Sequence, residues 1–152
     1  MLNINISGRN GVPSPGVYRE AGKCGNLPSG EAYIAPLEDG SDGEMIIDGS
    51  MVGIGKLESP LHMTISGGKL RSVTGEKSEN LDILLKNEIN GTVCELGIGT
   101  NEAAILNGII LEDEKSIWNC SYRLWYQHFF WRNKQSRMPY GWNHPASDFI
   151  SG

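Results

Sequence analysis

With 152 residues the chain is sized for one domain or part of a larger one, and its 39% hydrophobic content can build a core without any apolar run long enough to cross a bilayer. A formal charge of -5 and a pI near 5.2 exclude nonspecific binding to nucleic acid, which needs clustered Lys and Arg. Three cysteines, Cys24, Cys94 and Cys120, show no C-x-x-C spacing and argue against a disulfide framework or a structural zinc site.

Leu2, Ile4 and Ile6 alternate with polar residues up to Ser7, which predicts a half-buried strand and not the continuous apolar stretch of a signal peptide. Without a signal the cytoplasm is the expected compartment. Gly8 to Gly30 is rich in Gly, Pro, Ser and Asn and reads as loop, followed by a short strand over Ala32 to Ala35. Leu37 to Gly43 reads as an acidic turn, and Met45 to Ile54 as an extended segment interrupted at Gly49. Leu61 to Ser66 and Lys69 to Thr74 flank Gly67-Gly68, a hairpin signal because glycine accepts the positive φ that such turns require.

Glu76 to Ile89 carries Leu81, Leu84, Leu85 and Ile89 at helical spacing and predicts the main helix, stopped by Asn90-Gly91. Thr92 to Leu96 returns to strand, and Asn101 is placed to cap a second, short helix through Leu106. The order predicts an α+β fold: a mixed, mainly antiparallel sheet with one main helix and one short one.

Two segments carry the chemistry. In Gly25-Asn26-Leu27-Pro28-Ser29-Gly30-Glu31-Ala32-Tyr33-Ile34-Ala35-Pro36, one carboxylate sits between turn residues and the start of a strand. A strand mouth can hold such a carboxylate toward a ligand, although spacing alone fits a solvated turn glutamate. In Val93-Cys94-Glu95-Leu96-Gly97-Ile98-Gly99-Thr100-Asn101, a lone Glu lies within an apolar run. By itself Glu95 fits a ligand and a buried structural carboxylate equally well.

Together with Tyr18-Arg19-Glu20-Ala21-Gly22-Lys23 and Asp48-Gly49-Ser50-Met51, these segments resemble the C-terminal domain of the thermophilic metalloaminopeptidases, from about Leu2 to Lys115. The resemblance implies an α/β protein family, a divalent metal (zinc or cobalt) held by Glu31 and Glu95, and an activated water that attacks the carbonyl of an N-terminal peptide bond. It further implies a peptide substrate, a larger N-terminal part preceding this domain, and a surface through which a homodimer could form. The family's other ligands are a histidine on the strand after the second glutamate and a later His-x-Asp pair, and neither stands at its expected place. This chain is therefore expected to be an inactive fragment. The rival enzyme reading is a related iron-dependent dioxygenase that cleaves hydroxylated pyridine rings, with a His, His, Asp ligand set and less need of Glu95.

Residues 116–152 read as a separate tail, with all four tryptophans and no helical or strand period. A one-base shift of reading frame near the codons of Lys115 would account for it. Tryptophan has the single codon TGG, so each Trp becomes Gly once the frame is moved. The segment from Ser116 to Gln127 can then read Val-Tyr-Gly-Thr-Val-His-Ile-Gly-Phe-Gly-Ile-Asn, an alternating strand with a histidine. Likewise Pro139-Tyr140-Gly141-Trp142 permits His-Met-Asp-Gly. The competing reading is a non-enzymatic interaction protein whose aromatic tail docks a partner. His62, His128 and His144 match no zinc spacing, and His62 is expected to point outward from its strand. Cys94 has no histidine base near it in sequence and is expected to pack as a small hydrophobe. Gly97-Ile98-Gly99 lacks the third glycine of a dinucleotide loop and is expected to mark a turn or close backbone packing.

Overall fold

The computed structural model describes residues 1–51, 54–86, 90–117, 119–124 and 129–133. Strands run over Leu2–Ile4 (β1), Val12–Ser14 (β2), Glu31–Ile34 (β3), Ser41–Ile47 (β4), Ser50–Met51 (β5), Gly55–Lys56 (β6), Leu61–Ser66 (β7), Lys69–Gly75 (β8), Val93–Gly99 (β9), Cys120–Leu124 (β10) and Phe129–Asn133 (β11). Among the described residues they form a four-stranded sheet in the order β1-β4-β7-β8 and a seven-stranded sheet in the order β2-β3-β9-β10-β11-β5-β6. Neighbouring strands in both sheets pair antiparallel.

The period of two decides which side chains reach the core. Along β7, Leu61, Met63 and Ile65 are buried while His62, Thr64 and Ser66 are exposed. Met45 and Ile47 of β4 join them. Met51, Val93, Tyr122 and Leu124 enter the same apolar cluster from the larger sheet, so one core connects the two. The β7–β8 hairpin forms at the expected place, with Gly67 at φ 56° and Gly68 at φ 71°. Gly68 also ties the sheets together: its N–H donates to Ser41 O at 2.8 Å and its carbonyl accepts from Val93 N at 2.8 Å.

The expected α+β architecture is overturned. Strand makes up 42% and helix 9%, and among the described residues no helix reaches seven residues. Where a main helix was expected over Glu76 to Ile89, the described residues form a 3-10 turn at Ser78–Leu81 and a single α turn at Asp82–Leu85 (α1). Gly75 and Lys77 both take positive φ, at 117° and 52°, so the chain leaves β8 through left-handed backbone and not through a helix start. Leu81 is fully buried but Leu85 is 40% exposed, so the expected apolar stripe does not seat on the core along its length. Residues 87–89 of that stretch lie outside the described residues.

The short helix expected after Asn101 is also displaced. Asn101 Oδ1 accepts from Ala103 N at 2.9 Å in a local turn, and its Nδ2 donates to Ser29 O at 2.8 Å. The helical turn forms later, at Ile110–Asp113 (α2). β10 falls within the segment expected as a tail and pairs with β9. Among the described residues no helix is long and apolar enough to cross a membrane.

Candidate functional site

Register assembles the site. Glu31 of β3 stands opposite Gly99 of β9, and Arg123 and Ser121 of β10 stand opposite Glu95 and Gly97. Side chains alternate along each strand, so Glu31, Glu95, Ser121 and Arg123 share one face of the larger sheet. The two glutamates singled out by sequence are thereby brought together.

Both glycines of β9 on this face are used for space. A Cβ on Gly97 would run into Ser121 Oγ and Glu31 Oε1, so the Glu31 carboxylate lies across the sheet above that glycine. A Cβ on Gly99 would run into the carbonyls of Ser116 and Glu114, so the chain following α2 can cross over the strand there. Of the turn and the close backbone packing expected for Gly97-Ile98-Gly99, these contacts describe the second.

That crossing segment delivers Lys115. Its carbonyl accepts from Asn101 N at 2.8 Å, its N–H donates to Glu112 O at 3.0 Å, and Asn119 Nδ2 donates to Asp113 O at 3.0 Å and Ser116 O at 2.6 Å. The side chain is 1% exposed. Its ammonium donates to Glu31 Oε2 at 2.5 Å and to Glu114 Oε1. Ser121 Oγ donates to Glu31 Oε1 at 3.4 Å. The second oxygen of Glu114 is buried with no hydrogen-bond partner among the described residues. Glu95 lies beside Arg123, with Oε1 3.5 Å from Nη2.

Electrostatics follow from burial and from this sharing of cations. Burial pushes the Glu95 carboxyl up; Arg123 opposes the shift, Glu31 adds to it and Lys115 opposes it. Burial pushes Glu114 up to about 7, with the Lys115 hydrogen bond pulling against it. Burial also works against the Lys115 ammonium, but its hydrogen bonds to Glu114 and Glu31 outweigh that and hold it above the ordinary lysine value. One ammonium thus serves two carboxylates, Glu31 and Glu114.

These residues do not fit the zinc or cobalt centre implied for Glu31 and Glu95. Among the described residues no group of three or more His, Cys, Asp or Glu is arranged around a metal position. Each glutamate already faces a cation of the protein itself. His62 is exposed on β7, while His128, His144 and the residues from Pro139 to Trp142 lie outside the described residues. Cys94 is half-buried, its Sγ donates to Arg123 O at 3.3 Å, and burial raises its pKa, all of which suit a packing role. A third buried carboxylate, Asp113, accepts from Ser50 Oγ at 2.5 Å and from the amides of Asn107 and Gly108 at 2.9 and 3.1 Å, and so organises the loop before α2.

Lys115, Glu114, Ser121 and Arg123 escaped sequence reasoning. The adjacent Glu114-Lys115 pair looks like solvated surface, and the crossing over Gly99 with the bonds to Asn101 and Asn119 turns it inward.

No family model matches the sequence, and no curated protein matches it. Among solved structures, the 2,5-dihydroxypyridine dioxygenase from Pseudomonas putida KT2440 is similar, with a TM-score of 0.63 and 16% identity over 80% of this chain. The likeness spans 42% of that protein's length and concerns the fold alone.

Proposed function

We propose that this chain carries the ligand-facing sheet of a metal-dependent protein of the ring-cleaving dioxygenase kind, and that as encoded it does not turn over. The observation that carries this reading is the fold shared with the dihydroxypyridine dioxygenase. The two glutamates would suit peptide hydrolysis as well, but the fold likeness favours ring cleavage.

A shift of reading frame at the codons of Lys115 would agree with it. A shifted frame permits a histidine at position 121, where Ser121 now stands beside Glu31 on the face that also carries Glu95. An imidazole there would join the carboxylates, in the donor chemistry that iron(II) and zinc both accept. The present chain has a hydroxyl at that position and an ammonium in front of Glu31.

The test compares this chain with a frame-corrected one, each given iron(II), 2,5-dihydroxypyridine and oxygen, with loss of the pyridine followed by absorbance. The chain as encoded is expected to consume none and the corrected chain to consume it. Consumption by the present chain would overturn its silence. A corrected chain that ignores the pyridine but cleaves leucine-para-nitroanilide with zinc or cobalt would return the peptidase reading.

A further inference from the structure

We propose that Lys115 and Glu31 condense within the folded chain to an amide between their side chains, a covalent crosslink that ties the segment after α2 to β3. The proposal rests on the geometry of the buried cluster and is independent of the ring-cleavage reading.

In water an amine and a carboxylic acid rest as hydrated ions and do not condense. Here both groups are buried, so the two charges lose the support of water and the neutral amine and acid become reachable. Nζ of Lys115 stands 2.5 Å from Oε2 of Glu31. The fold holds both ends. Glu31 is fixed in register opposite Gly99, and the Lys115 backbone is bonded to Asn101 N and Glu112 O. Well-oriented groups in one molecule react as if present at about 10⁵–10⁸ M.

Two neighbours are placed for the chemistry. Glu114, also buried, accepts from the same ammonium through Oε1, and its Oε2 has no hydrogen-bond partner among the described residues. Ser121 Oγ donates at 3.4 Å to Glu31 Oε1, the oxygen that faces away from the lysine contact. The step balances with no co-reactant. The ammonium passes one proton to Glu31 Oε2, and the neutral amine then attacks Cδ of Glu31. Negative charge develops on Oε1, where the Ser121 hydroxyl supports it. Glu114 takes a second proton from the nitrogen and delivers it to Oε2. The Cδ–Oε2 bond breaks, water leaves, Oε1 becomes the amide oxygen and Glu114 returns to its starting state. The link closes a loop across 84 residues of separation and so restricts the unfolded chain.

Intact-mass spectrometry of the full chain, incubated folded and then denatured and reduced, tests the crosslink. A product lighter by one water than the sequence requires is expected, and its digest should contain a branched peptide joining Glu31 to Lys115. Lys115→Arg keeps a cation between the glutamates and is expected to lose no water. Glu114→Gln, with its fold checked by circular dichroism, is expected to form the link at least about tenfold more slowly. A folded, unaltered chain that keeps the full mass of its sequence through prolonged incubation overturns the proposal. So does a water loss mapped to any other pair, Lys115 with Glu114 included, or an unchanged rate in Glu114→Gln. Should the variants fail to fold, the unaltered chain decides: incubation in urea is expected to stop the reaction, and a link that forms equally well in the unfolded chain refutes the role assigned to the cluster.

Discussion

Glu114 holds its proton more firmly folded than unfolded, and this fixes the sign of a pH effect. Its carboxyl, pushed up to about 7 by burial, stays protonated in the native state while an unfolded glutamate ionises near its model value of 4.5. Between those values the native chain binds more protons, so stability is greatest at the acid end and falls as pH rises through about 7. The loss attributable to this one group is at most about 3 kcal/mol. Glu114→Gln should flatten the decline in unfolding free energy between pH 4.5 and 7, measured by urea titration at several pH values. An unchanged slope would show that Glu114 is not the titrating group. At this scale the sequence was half legible. Glu31 and Glu95 could be singled out because each is a lone acid at a strand. Lys115 could not, because it lies 84 residues from Glu31 and no local pattern joins them.

The β7–β8 hairpin shows what a sequence discloses at the scale of elements. Its alternation and its Gly67-Gly68 turn are local signals, and both are realised. The two glycines nevertheless have unequal work. A Cβ on Gly67 meets nothing nearer than the tip of Arg71 at 4.0 Å, whereas one on Gly68 would strike the carbonyl of Glu38. Gly68→Ala should therefore cost more than the roughly 1–2 kcal/mol of left-handed backbone strain, since the Glu38 segment must also move. Gly67→Asn should cost less than about 1 kcal/mol, because Asn tolerates that backbone region. Thermal unfolding of the two variants checks this, and equal losses would contradict it. The segment after β8 departs from the expected helix for the opposite reason. Four apolar residues at helical spacing predict a helix only if a surface exists to receive them. Here the core takes Leu81 and leaves Leu85 in water.

For the whole molecule, the position of β10 matters most. It lies between β9 and β11 within the larger sheet, with Leu124 fully buried and Tyr122 nearly so. A chain ended at residue 117 would expose the edge of β9 and open the core beside Val93. Such a truncation is expected to lose cooperative thermal unfolding, by circular dichroism; a transition equal to that of the full chain would refute the central role of this strand. Cys120, Tyr122 and Leu124 alternate with Ser121 and Arg123, a strand signal, but five residues among clustered aromatics are too short a run to announce a central strand.

Strand order also sets a timetable. The smaller sheet is complete once Gly75 has been made, so its hairpins can pair as they emerge from the ribosome. β5 and β6 emerge earlier than most of that sheet's last hairpin, yet Met51 finds its partner in β11, opposite Trp131. At synthesis rates of about 5–20 residues per second, that partner arrives on the order of ten seconds later. Through that interval the early strand is an open edge, available to any neighbouring nascent chain. The speed of translation and the crowding of polysomes thus become part of what determines the yield of folded protein.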